Sequence, residues 1–106
     1  MILATTETIA GKRIVKTLGL VRGNSVRARH IGRDIMAVLR NIVGGEVPEY
    51  TKLIAEAREQ AIDRLVEEAE AIGAHAVVAL RFQTTEMMET AAELMAYGTG
   101  VLLEDE

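Results

Sequence analysis

Between Glu49 and Ile72 the residues recur at the three- and four-residue steps of an α-helix and sort into two stripes of opposite character. Tyr50, Ile54, Ala57, Ala61, Leu65, Ala69 and Ile72 fall on one side, and Glu56, Glu59, Asp63, Glu67 and Glu70 on the other. Gly73 ends the pattern, because glycine accepts the left-handed backbone that closes helices. The alanines on the apolar stripe let the helix backbone lie close to whatever it covers. The spacing therefore predicts a long helix seated tightly on a sheet.

Arg58 falls inside the apolar arc, and Glu68 lies near its edge. Arginine is almost never fully buried unless paired. A partner is expected for it: Asp34 or Glu68 in the same chain, an acid of another subunit, or a bound anion. The second reading packs the stem and leaves the guanidinium in water. A ligand-binding Arg58 comes third.

The rest of the chain must supply the sheet. Ile2–Thr5 reads as a short strand and Arg13–Val21 as a longer one, with Gly23-Asn24-Ser25 as a turn or bulge signal. Val26, Ala28 and His30 then alternate with Arg27 and Arg29, so the region is one long bulged strand or two short ones. Ile31, Ile35, Val38, Leu39 and Ile42 predict a first helix, with Asp34 near its positive end and Gly44-Gly45 as its stop. Pro48 separates the two helices. Ala74–Thr84 and Leu94–Leu103 read as a hairpin, with Ala76, Val78, Leu80 and Phe82 on one apolar face. The expected fold is α+β, ββ-αα-ββ in order, an antiparallel sheet with two helices packed on one face. Residues 1–106 are expected to form a single domain.

Composition narrows what such a domain can do. The chain has 106 residues, no Cys and 3% aromatics. Zero Cys excludes disulfides, zinc ribbons and thiol catalysis. No apolar run reaches bilayer length and the N-terminus carries no secretory pattern, so a soluble, cytoplasmic protein is expected. With Tyr50, Phe82 and Tyr97 as the full aromatic complement, the core rests on aliphatic side chains, which suggests one shared with copies of the chain. A compact chain of this length has a radius of gyration of about 13 Å. Net charge is −4, but residues 1–33 carry seven basic residues against one acid, and residues 34–106 five against fifteen. The basic segment lacks interleaved aromatics, so nucleic-acid binding ranks last, and opposed surfaces meeting within or between subunits rank first.

No catalytic motif emerges. Ser25 is the single serine and sits outside any nucleophile elbow. Gly98-Thr99-Gly100 has no helix after it, so it reads as close packing within a sheet. The acidic helix stripe reads as a solvated face. His30 and His75 are the metal-ligand candidates, without a clustered partner. His75, beside Gly73, is expected to make a turn or interface hydrogen bond.

Arg33-Asp34-Ile35, Ile42-Val43-Gly44-Gly45, Tyr50, Ala57-Arg58, Gly73-Ala74 with Ala76-Val77-Val78, and Tyr97-Gly98-Thr99 together resemble the YbjQ-like family over nearly the whole chain. These are small bacterial and archaeal proteins of uncharacterised function that carry a heavy-metal-binding label. The resemblance implies a dodecin-like α+β fold, a ring-shaped homo-oligomer expected to be a pentamer, and no established activity. Arg33, Asp34, Gly44, Gly45, Tyr50, Arg58, Gly73 and Gly98 match the family pattern. His75 stands where the family usually has Asp or Asn, Ala79 where Gly is usual, and Gly100 where Ala is usual. The expectation is a non-enzymatic homo-oligomer with an unknown ligand, no predicted cofactor, and Arg33, Asp34 and Arg58 in a charged network at the subunit interface. The alternatives are a metal protein using carboxylates with His30 or His75, and an enzyme with His75, Asp34 and Arg58 around a pocket between subunits.

Overall fold

The aliphatic, β-branched N-terminal third extends, as its composition demands, into β1 (Ile2–Leu3) and β2 (Lys12–Arg27). The helix α1 (Pro48–Ala71) and the strands β3 (Ala76–Met88) and β4 (Ala91–Asp105) follow. This computed structural model describes residues 1–27, 48–88 and 91–106. The predicted first helix, with His30, Arg33, Asp34, Gly44 and Gly45, lies outside the described residues, among which there is one helix.

The helix begins one residue earlier than its periodicity suggested. Pro48 is its first residue rather than part of a linker, because the first turn needs no N–H from that position. At the other end Gly73 adopts φ +78°. There Gly73 N donates to Glu70 O at 3.0 Å and Ala74 N to Ala69 O at 3.0 Å, the paired bonds of a Schellman close.

The four strands form one sheet in the order β1-β3-β4-β2. The sheet is mixed, not wholly antiparallel: β1 runs parallel to β3, while β3–β4 and β4–β2 are antiparallel. The reason is topological. With β3 and β2 both antiparallel to β4, they share a direction, and β1 is carried across the sheet to β2 in that direction by residues 4–11. That connection stays tied to the β3 edge through Ala4 N to Val77 O at 2.9 Å and Ala79 N to Thr6 O at 2.8 Å.

Gly23-Asn24-Ser25 is not a turn. All three residues sit within β2, paired with Ala96, Met95 and Leu94 of β4. A continuous ladder overrides their local preference, and the bulges of β2 fall earlier, between Ile14 and Lys16 and between Thr17 and Gly19. Gly23 serves close approach instead. A Cβ there would lie inside Ala61 O and Leu65 N of the helix backbone. Around this contact Val21, Ala61, Leu65, Ala69, Val77, Leu80 and Ala96 form the buried core.

The predicted apolar face of β3 is split. Ala76 and Val78 face away from the helix into a second cluster with Val101, Ile9, Ile14 and Leu103, while Val77 and Leu80 join the helix-side core. The switch occurs at a bulge between Val78 and Arg81, where Ala79 is forced to φ +54°. Phe82 ends 42% exposed. Both strands also run further than expected, through Glu86–Met88 on β3 and from Ala91 on β4. The left-handed backbone costs an L-residue about 1–2 kcal/mol. Ala79→Gly should therefore raise stability by about 1 kcal/mol, read as a higher urea midpoint at unchanged slope. A lower midpoint would place the strain elsewhere.

Candidate functional site

Direct cross-strand partners share a face of the sheet. Val21 faces the helix, so Arg22 faces away from it, and Arg22 pairs with Tyr97 while Tyr97 pairs with Arg81. An Arg–Tyr–Arg row therefore crosses three strands on the side opposite α1. Both arginines are exposed and Tyr97 is half-buried between them. Arg81 is held by Nη1 donating to Thr5 O at 2.7 Å and Leu80 O at 2.8 Å. The nearest acid in the rows toward the hairpin end is Glu93, which accepts from Asn24 Nδ2 at 2.6 Å. On the other side of the row, paired with Thr99, is Leu20, 65% exposed.

A polar seam locks the helix to β2. Ser25 is fully buried, and its hydroxyl hydrogen-bonds Gln60 Oε1 at 2.8 Å. Arg64 Nη1 donates to the Asn24 carbonyl, so the seam holds both side chain and backbone of β2. At the other end of β2, Lys12 pairs with Asp105 and Arg13 with Glu104. The Lys12 ammonium, through its hydrogen bond and its charge, holds the Asp105 carboxyl below its usual value. A depressed carboxylate pKa contributes stability above the usual range, and that contribution is lost as pH falls through the folded value.

Arg58 is not buried. It is exposed, and no salt bridge among the described residues involves it, so of its candidate partners Glu68 does not pair with it, while Asp34 lies outside the described residues. Nor does one chain gather Arg58 and His75 into a pocket: thirteen residues of helix, about 20 Å at 1.5 Å each, separate Arg58 from the end of the helix before His75. Gly98 lies in β4, where a Cβ would meet Val77 Cγ1 at 2.6 Å, so it keeps the close packing its context suggested.

His75 makes the turn hydrogen bond expected of it, with Leu103 N donating to its Nδ1 at 2.9 Å. This polarity bears on metal binding. With the Nδ1 lone pair engaged, the neutral ring carries its proton on Nε2, whereas a metal-bound histidine donates its other N–H. Coordination through either nitrogen would break this bond or strip the Nε2 proton. Among the described residues no three His, Cys, Asp or Glu side chains are grouped to hold an ion. The described donors do not fit a soft-metal centre.

The Arg–Tyr–Arg row and the Ser25–Gln60 seam were not visible in the sequence. Each depends on a bulge-shifted register, and the signal available, alternation along β2, was masked by the turn-like Gly23-Asn24-Ser25.

A family model described as "Putative heavy-metal-binding", the YbjQ family, matches residues 1–104. A UPF0145 protein of Methanosarcina acetivorans is 59% identical over 101 residues, covering 95% of both chains. A UPF0145 protein of Dehalococcoides mccartyi is 55% identical, covering 98% of this chain and all of that one, and one from Thermococcus kodakarensis is 56% identical over 106 residues, covering 94% of that chain. A crystal structure of a protein of unknown function from Pediococcus pentosaceus, assigned to the DUF74 family, shares the fold with a TM-score of 0.63 at 15% identity, over 98% of each chain. No helix among the described residues is long and apolar enough to cross a membrane.

An Asp or Asn side chain could accept the Leu103 N–H as His75 does. His75→Asp should hold stability within about 0.5 kcal/mol, and His75→Ala should lose about 1 kcal/mol, the net value of one hydrogen bond. Equal losses in chemical denaturation would mean that the acceptor is not what position 75 supplies.

Proposed function

We propose a function from one premise: the chain belongs to the YbjQ family, the UPF0145 proteins, whose function is uncharacterised. The reading is a non-enzymatic protein that assembles with copies of itself into a ring, a pentamer by expectation, and works as a binding or scaffold unit. The observation that supports it is the spread of the fold. The Cα radius of gyration is 17.0 Å, against about 13 Å for a compact chain of this length. A chain this extended leaves apolar side chains in water, among them Leu20 at 65% and Val15 at 48% exposed.

Arg33, Asp34 and Arg58 are the proposed charged network at the subunit boundary. Support comes from Arg58, whose helical phase matches that of buried Leu65 and Ala69 and whose side chain nevertheless reaches water. An arginine so aimed suits an acid brought by a neighbouring copy.

Native mass spectrometry tests the reading. The parent is expected at the mass of a closed oligomer, and Arg58→Glu at lower mass with unchanged circular dichroism. A variant that keeps the parent mass removes Arg58 from the interface. Incubation with zinc or nickel before the same measurement is expected to leave no stoichiometric metal; retention of one ion per chain would favour the family label over this reading.

A further inference from the structure

The chain carries two exposed charged surfaces of opposite sign that cannot meet within it. One is the acidic stripe of α1: Glu56, Glu59, Asp63, Glu67 and Glu70 are all exposed, and none takes part in a salt bridge among the described residues. The other is the Arg22–Tyr97–Arg81 row, on the face of the sheet that points away from α1. The sheet itself stands between them, so α1 acids that reach the row belong to another molecule.

We propose that the Arg22–Tyr97–Arg81 row receives the acidic stripe of α1 from a second copy of this chain. The inference rests on the self-assembly reading above and adds where one copy grips the next. Spacing supports it. Two strand steps separate Arg22 from Arg81, about 9.5 Å. Acids seven residues apart on a helix, Glu56 with Asp63 or Asp63 with Glu70, are about 10.5 Å apart along the axis. A helix laid across the strands therefore sets one carboxylate over each guanidinium, with the Tyr97 ring between them. Arg81 is already oriented by its bonds to Thr5 O and Leu80 O, which lowers the entropy lost when it engages a partner. Glu93 accepts from Asn24 and makes no salt bridge with Arg22 or Arg81 among the described residues. Exposed Leu20 in the adjacent row gives the contact an apolar component. Because the two surfaces differ, each copy presents one to each neighbour, and such head-to-tail contacts close into rings when the rotation permits.

The test is a charge-swap cycle read by native mass spectrometry and light scattering on the full chain, with circular dichroism to confirm folding. Arg22→Glu and Asp63→Arg should each drop the oligomer to smaller species, weakening assembly at least tenfold in concentration. Arg22→Glu combined with Asp63→Arg should restore the parent mass. Glu106→Arg, which makes the same charge change as Asp63→Arg at an exposed position just past the end of β4, nine residues from Tyr97, should leave the mass unchanged. If the parent is oligomeric and both single variants keep its mass, the proposed contact is wrong and self-assembly stands. If the parent is a monomer throughout, the self-assembly reading fails and takes this inference with it. If Arg22→Glu keeps the oligomer but abolishes retention of inorganic phosphate or single-stranded DNA seen with the parent, the row is an anion site and the second-copy assignment is overturned.

Discussion

The backbone of α1 rests directly on the backbone of β2, and the absence of a side chain at Gly23 permits it. Helices usually stand on a sheet through side chains of both partners. Here the slot at Gly23 accepts Ala61, and the buried alanines at positions 57 and 69 keep the same narrow spacing along the helix. Close approach brings a fully buried hydroxyl, Ser25, against Gln60, and a buried hydroxyl without a partner would cost about 1–3 kcal/mol. The slot fixes the height of the helix, and the Ser25–Gln60 bond fixes its rotation. With the rotation set, the acidic stripe can only face outward.

Once the helix is that close, the sheet needs a second buried side to anchor its far end, and bulges provide it. The left-handed residue at Ala79 shifts β3 by one position, sending Val77 and Leu80 to the helix and leaving Ala76 and Val78 for Ile9, Ile14 and Leu103 on the other face. A strand without the bulge would put Leu80 with Val78 and deprive the helix-side core of its largest β3 contact. That backbone angle favours glycine, and this chain carries alanine there at the cost of strain.

The parts of this fold legible in the sequence were those set by local periodicity. The α1 stripe, its Gly73 close and the β3–β4 pairing follow from residues near one another in the chain. The α1 stripe even announced the tight seat, through its alanines, although not the glycine on the partner strand that completes it. What escaped depends on distant residues. Gly23-Asn24-Ser25 has turn chemistry, and only the ladder to β4 makes it strand. The parallel direction of β1 follows from where β2 must lie. Arg58 shares the phase of Leu65 and still reaches water, because helical phase alone does not say whether the sheet extends far enough to cover it. For the candidate site, His75 was legible as a turn acceptor, while the Arg–Tyr–Arg row required the register.

The charge asymmetry of the sequence resolves into two separate arrangements. Part of it cancels within the chain, where the end of β4 brings Asp105 and Glu104 beside Lys12 and Arg13 at the start of β2. Such exposed pairs contribute little stability each, but they remove charge from that edge. Arg22 and Arg81 cannot pair with the carboxylates of α1 within one chain, since the two sets lie on opposite sides of the sheet. A twofold dimer would bring like surfaces together around its axis and leave these unlike surfaces unmatched. A cyclic arrangement matches each with its complement at every contact. Strong residual charge on two opposed faces also disfavours stacking in the wrong order, since copies meeting through equal faces repel. In the proposed assembly, head-to-tail contacts would satisfy the charges that the sheet keeps apart within one chain.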